Sequence, residues 1–173
     1  MVRNCAELGL LLKKMATRLM ANDRLIKLLY YTDVDPLGQK NLEQGQIQKE
    51  VFDKLLKITP KISPVDMENS KSVISLKIVG GTQTSNGEFR DIKISIESLV
   101  PLTQWFIKDD NLRPFLIMGE IENSLKGKTI NGLGKIVGGN FELEFLTEEI
   151  SCYEQTFVIT TYDWFKSLFS YSN

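Results

Sequence analysis

The stretches Val73-Ile-Ser-Leu-Lys-Ile78 and Ile92-Lys-Ile-Ser-Ile96 decide the fold of this chain. In both, an isoleucine or leucine occupies every second position, and a serine or lysine stands between them. This period of two is typical of half-buried strands in an antiparallel sheet. We therefore predict two neighbouring strands, connected by a polar loop from Gly80 to Gly87, as the start of a sheet.

A helix is predicted after these two strands. Asn111 is its expected N-cap, Pro114 falls in its first turn, and Asp109-Asp110 suit the positive end of the helix dipole. Gly127 fits the left-handed residue that often follows a last helical turn. The segment Gly127-Lys128-Thr129 is therefore better explained as a helix end than as part of a phosphate-binding loop.

Three more strands are predicted after this helix. Residues 130–137 and 141–146 are expected to form a hairpin that turns at Gly138-Gly139-Asn140, and residues 152–162 form the closing strand. The glutamates of the strand at 141–146 alternate with apolar residues, so we expect them on its solvent face.

The part of the chain before the sheet is predicted to be helical. Apolar residues recur at three- and four-residue steps between residues 4 and 20. A second, short helix is expected after Asn22 or Asp23 as its cap, and a third at residues 47–58, closed by Pro60.

These elements predict an α+β fold. N-terminal helices precede a mostly antiparallel sheet of about five strands, in the order β-β-α-β-β-β, with the central helix packed on one face. We expect one structural domain. In it, residues 1–62 are a helical segment that packs on the sheet, residues 63–162 are the core and residues 163–173 are an aromatic tail.

The composition argues against an enzyme and against specific nucleic-acid binding. The 173 residues have a net charge of −1, no histidine and two cysteines. Ser–His and Cys–His nucleophile pairs therefore cannot form within the chain, and a zinc cluster has too few ligands. Asp33 and Asp35 are expected to form a turn rather than a metal site. We expect no catalytic residue, no metal and no cofactor.

The composition also offers no membrane segment. The apolar run from Leu8 to Leu12 is far too short to span a bilayer, so no membrane partner is expected.

Two segments contain the candidate partner-binding residues. The polar loop is longer than a hairpin turn requires, so it either orders against a partner or is a tolerated surface loop. The aromatic tail either packs back onto the sheet or contacts another subunit. The candidates are Gly81, Thr82, Gln83, Thr84, Ser85, Asn86 and Gly87 in the loop, and Trp164, Phe165 and Phe169 in the tail.

The succession of elements also carries a family resemblance. It rests on the amphipathic start from Leu8 to Leu29, the two alternating strands, Pro101 and Trp105, the helix from Leu112 to Leu125, and the closing strands up to Tyr162. In this order the chain resembles the tail terminator, or tail completion, proteins of tailed bacteriophages.

The resemblance implies a structural virion protein of the tail or neck that is not an enzyme. Such a subunit forms a ring, usually a hexamer, which ends growth of the tail tube and joins the tail to the head connector. The implied partners are further copies of the chain, the tail-tube protein, a head-side connector or stopper protein, and the sheath protein of a contractile tail. The alternatives are a head-closure or other neck protein and, in a different class, a monomeric ligand-binding or regulatory domain.

Overall fold

Strands make up most of the second half of the chain. The computed structural model describes residues 8–59, 71–85, 89–130 and 134–162. Its strands are β1 (Leu56–Ile58), β2 (Val73–Gln83), β3 (Phe89–Pro101), β4 (Phe106–Ile107), β5 (Asn111–Leu112), β6 (Ile136–Leu146) and β7 (Ile150–Tyr162). Five of them form one sheet in the order β1-β2-β3-β7-β6, and β4 and β5 form a second, small sheet. Neighbours in the large sheet are antiparallel, except that β1 is parallel to β2.

The main helices pack on one face of the large sheet. The helical segments are α1 (Leu8–Leu19), α2 (Asp23–Tyr30), the short α3 (Gln44–Gln46), a π-helix (Ile47–Phe52), a 3-10 turn (Leu102–Gln104) and α4 (Arg113–Leu125). The side chain of Gln155 in β7 donates a hydrogen bond to the carbonyl of Met118 in α4 at 3.3 Å. The fold is therefore α+β with the central helix on one sheet face, which confirms the predicted class.

The first two predicted helices are confirmed within the described residues. The apolar stripe of α1 is buried in a core that it shares with α2, α4 and the sheet. Asn22 is the N-cap of α2, because its side-chain oxygen accepts hydrogen bonds from the backbone N–H groups of Arg24 (3.1 Å) and Leu25 (3.2 Å). This satisfies two of the amides that the start of a helix leaves unpaired. Residues 4–7 of the predicted first helix lie outside the described residues.

The prediction of a third helix at residues 47–58 is wrong over its last part. Leu56–Ile58 form β1, which pairs with β2 in the register Leu56↔Ile74. Leu55 and Leu56 are buried, 4% exposed each, as the helical pattern also required. Pairing with the edge of β2 buries these leucines and satisfies backbone groups as well, so it outweighs local helix propensity.

The predicted hairpin turn at Gly138-Gly139-Asn140 is also wrong. β6 is one strand that pairs with β7 along its length. Gly138 and Gly139 have φ angles of 106° and 95°, and the pairing register shifts at this point. The two glycines therefore form a β-bulge, which bends a strand without reversing it. The sheet still has five strands because β1 supplies the fifth.

The residues before α4 form a hairpin instead of the predicted helix start. Asp109 and Asp110 have φ angles of 62° and 56°, left-handed conformations that aspartate adopts more readily than most residues, and they lie in the turn between β4 and β5. Asn111 lies in β5, and Leu112 is the N-cap of α4. The prediction of Asn111 as the cap is therefore wrong, whereas Pro114 does lie in the first turn of α4.

Arg113, the first residue of α4, is a buried cation that connects three parts of the fold. Its side chain has no exposed surface. The guanidinium donates to the carbonyls of Gln104 (3.0 Å), Leu28 (2.8 Å) and Asp33 (2.8 Å). Burial lowers the pKa of Arg113 to about 10, and the nearby charge of Asp33 opposes this shift. The group still carries its charge at neutral pH.

Glu120 fixes the contact between α2 and α4. Its carboxylate, 11% exposed, accepts a charged hydrogen bond from Arg24 at 2.6 Å and a second from the side chain of Asn22 at 3.1 Å. Burial acts to raise the pKa of Glu120, but the hydrogen bonds from Arg24 and Asn22 outweigh it and hold the pKa below its ordinary value.

We expect Glu120 to contribute to loss of stability in acid. Its pKa is lower in the folded than in the unfolded chain, so its contribution is present above the unfolded value of 4.5 and is lost as the pH falls through the folded value. Glu120→Gln cannot titrate, so its free energy of unfolding should depend less on pH between about 5 and 3 than that of the wild type. Urea unfolding at each pH measures this, with Asp110→Asn as the control for loss of an exposed carboxylate. Identical pH slopes for wild type and Glu120→Gln would contradict the assignment.

Candidate functional site

The first half of the predicted polar loop belongs to the sheet. The residues concerned are Gly81, Thr82 and Gln83, which lie in β2 and pair with Ile92, Asp91 and Arg90 of β3. The prediction of a loop from Gly80 to Gly87 is therefore wrong over this part. Polar residues and glycines can extend a strand in this way, because strand pairing uses backbone groups.

The remaining candidates of the loop and tail come after the end of β2 in the sequence. Thr84 and Ser85 directly follow the strand, and the backbone N–H of Thr84 donates to the carbonyl of Phe89 at 2.9 Å. The other predicted partner-binding residues lie outside the described part of the chain and stay predictions. They are Asn86, Gly87, Trp164, Phe165 and Phe169.

Asp35 has a structural role, and Cys152 is a buried thiol. The carboxylate of Asp35 accepts from the Lys108 ammonium and from the backbone N–H of Gly38, both at 3.0 Å, and these bonds lower the pKa of Asp35. It therefore forms the predicted turn. Burial raises the pKa of the Cys152 thiol to about 12, so Cys152 is a neutral, unreactive thiol at physiological pH. Among the described helices, none has the length and apolar content needed to cross a bilayer.

One group of exposed apolar side chains lies at an edge of the large sheet. β6 is the last strand on its side, and within the described residues its outer edge is paired only near its start, where residues 127–129 pair with Lys135 and Ile136. Phe141 and Leu143 stand opposite Gln155 and Tyr153 of β7, so they share the sheet face on which α4 packs. They are nevertheless 60% and 50% exposed, since α4 leaves this part of β6 uncovered.

Aromatic rings extend this surface from β6 onto α4. The ring of Tyr153 lies 5.4 Å from that of Phe115 in α4, which is 42% exposed, and 6.2 Å from that of Trp105. We call Phe115, Phe141, Leu143 and Tyr153 the edge patch. A contiguous apolar surface of this kind, when exposed, is typical of a site that contacts another molecule.

Sequence analysis did not identify the edge patch. The alternation in β6 placed Glu142 and Glu144 on the solvent face, and both are exposed. The same alternation implied that Phe141 and Leu143 are buried, which is wrong. A period of two separates the two faces of a strand, but it carries no information on whether the strand lies at the centre or at the edge of its sheet.

A row of acidic groups borders the edge patch. Between residues 136 and 162 the chain has five glutamates and no lysine or arginine. These glutamates are Glu142, Glu144, Glu148, Glu149 and Glu154, and we call them the acidic hairpin. Carboxylate oxygens of Glu142, Glu144 and Glu154 lie within 4.8 Å of one another, and Glu154 alternates with Tyr153 onto the opposite sheet face. The edge of β6 therefore has an apolar side and an acidic side. Protein interfaces are likewise made of an apolar centre and a polar rim.

Comparison with known proteins gives one family. A search of curated proteins finds no match. The sequence model of the YomW family matches residues 22–158, a span that includes α4, the edge patch and all of the large sheet except the end of β7. This family is phage-derived and of the SPbeta type. The chain therefore belongs to the YomW family and is a phage-related protein.

Proposed function

We propose that this phage-related protein is a structural virion subunit that forms a ring with copies of itself at the head-proximal end of a phage tail. There the ring ends growth of the tail tube and joins the tail to the head connector. Its partners are further copies of the chain, the tail-tube protein and a head-side connector or stopper protein. We assign it no catalytic activity and no cofactor.

The observation that carries the proposal is the edge patch on β6, whose outer edge pairs with no described residue beyond Ile136. An edge strand presents free N–H and C=O groups, and single-chain proteins usually protect such edges with short strands, charged side chains, proline or β-bulges. β6 has 11 residues without a lysine or proline. Its bulge at Gly138-Gly139 lies before Phe141, and Phe141 and Leu143 are at least half exposed on the part of the strand whose outer edge no described strand covers. A second protein chain would cover the apolar side chains and could satisfy the free backbone groups.

Two further observations support an assembly role in a phage. The family to which the chain belongs is phage-derived. The sequence resembles the tail terminators, and the α+β class that this resemblance implied is the class of the fold.

Deletion of the gene from its phage tests the proposed role. Without a terminator, tail tubes should vary in length and exceed the wild-type length in electron micrographs, and they should not carry heads. Supplying the intact chain from a plasmid should restore joined particles of uniform length. Unjoined tails of normal length would instead favour the head-closure alternative. Normal infectious particles in the deletion mutant would overturn the proposal.

A further inference from the structure

A basic groove lies between α1 and the segment that follows α4. It has a volume of about 320 Å³ and is lined by Lys14, Thr17, Arg18, Ala21, Thr129 and Ile130. An adjoining depression adds Lys128 and Arg24, with Asp23 as its carboxylate. Arg18 is held in place by a hydrogen bond from its Nε to the carbonyl of Ser124 at 2.8 Å. The cations Lys14, Arg18 and Lys128 define this basic groove.

An exposed apolar residue lies beside this groove. Leu10 precedes Lys14 by four residues, so the two side chains are neighbours on one face of α1. Leu10 is 53% exposed, although the stripe of α1 that faces the core is buried. The groove therefore has cations next to an exposed apolar residue. The surface at β6 has carboxylates, the acidic hairpin, next to exposed apolar residues, the edge patch. The two surfaces are therefore complementary in charge.

The two surfaces lie too far apart to neutralise each other within one subunit. The groove adjoins the start of β6, because the backbone N–H of Ile136 donates to the carbonyl of Lys128 at 2.8 Å. Glu148 and Glu149 lie in the turn after the last residue of β6. A strand of this length spans roughly 30 Å. Charges are screened beyond about 8 Å at physiological ionic strength.

We infer that the acidic hairpin of one copy docks in the basic groove of the next copy. The inference rests on the proposed function and specifies the interface between ring subunits. The edge patch of one copy then lies against the side of α1 that carries Leu10 in its neighbour. Because two different surfaces meet, the contact is heterologous, and a heterologous contact closes into a ring when the rotation between subunits allows it. Pairing of two acidic hairpins would instead bring like charges together.

Charge reversal on each surface tests this docking. The hairpin variant is Glu148→Lys with Glu149→Lys, and the groove variant is Lys14→Glu with Lys128→Glu. Each variant alone places like charges at every contact, so the concentration required for half-maximal assembly should rise on the order of 100-fold. Light scattering measures the mass at each concentration, and circular dichroism checks that both variants are folded.

An equimolar mixture of the two variants gives the decisive result. The reversed hairpin of one variant matches the reversed groove of the other, and their two unchanged surfaces also match. The mixture should therefore assemble like the wild type into particles that contain both variants in equal number. The control is Lys40→Glu with Lys49→Glu, which changes the net charge by the same amount as the groove variant. Both lysines are exposed and precede β1, the strand at the opposite edge of the sheet from β6. It should assemble as the wild type does.

Two results would overturn the inference without affecting the proposed function. The first is assembly of either folded variant at wild-type concentrations. The second is a mixture that stays unassembled. A wild-type protein that is monomeric at every concentration would overturn both the inference and the proposed function.

Discussion

Arg113→Met is expected to lower the free energy of unfolding by about 3 kcal/mol or more. Methionine occupies a similar volume but has no donor, so the carbonyls of Leu28, Asp33 and Gln104 lose their bonds to the guanidinium. Each buried carbonyl left without a partner costs about 1–3 kcal/mol. Arg113→Lys should recover only part of the loss, because one ammonium cannot match the geometry of a planar fork with five donors.

The matched control for Arg113→Met is Lys108→Met. This substitution also replaces a cation by methionine, but the ion pair between Lys108 and Asp35 is exposed. Its urea midpoint should stay close to that of the wild type. Urea unfolding followed by circular dichroism compares the three proteins. An Arg113→Met protein as stable as Lys108→Met would show that the buried guanidinium is not needed to hold α2 and α4 together.

The double variant Phe141→Lys, Leu143→Lys is expected to abolish self-assembly while the subunit stays folded. Both side chains are at least half exposed in the free subunit, so lysine at these positions should change its stability by no more than about 0.5 kcal/mol per site. In the assembled state the lysines would have to lose their hydration, which costs several kcal/mol for each charge. A cost of that size lowers the association constant by roughly 100-fold or more. Lysines on an edge strand also prevent pairing with another strand.

The control for this variant places lysines at apolar residues outside the edge patch. Val34 and Val79 are 69% and 44% exposed, so Val34→Lys with Val79→Lys makes the same chemical change at comparable exposure. Light scattering should give the wild-type mass for the control and the monomer mass for the edge-patch variant. Equal masses for the two variants would show that the edge patch is not part of the interface.

Local sequence signals predicted the elements whose packing agrees with their local pattern. In α1 the helical period coincides with the stripe that the core buries, and in α2 the cap at Asn22 acts on its own backbone. In β3 the isoleucines at 92, 94 and 96 are all buried, as the period of two required. These signals act over a few residues, so the sequence alone contains them.

The elements that were predicted wrongly depend on contacts between distant residues. Leu56 forms a strand because the edge of β2, many residues later, is available to pair with it. Gly138 forms a bulge rather than a turn because β7 continues alongside β6 beyond this point. The exposure of Phe141 and Leu143 depends on the order of strands in the sheet and on where α4 lies. The local alternation of residues does not determine any of these features.

The mass and shape of the purified full-length protein test the central proposal most directly. Light scattering over a range of concentrations, together with electron micrographs of the same sample, should show annular particles with one fixed number of subunits. From the resemblance to tail terminators we expect this number to be six. The Phe141→Lys, Leu143→Lys variant should give only monomers under the same conditions. A wild-type protein that stays monomeric at every concentration, with no annular particles, would contradict the proposal.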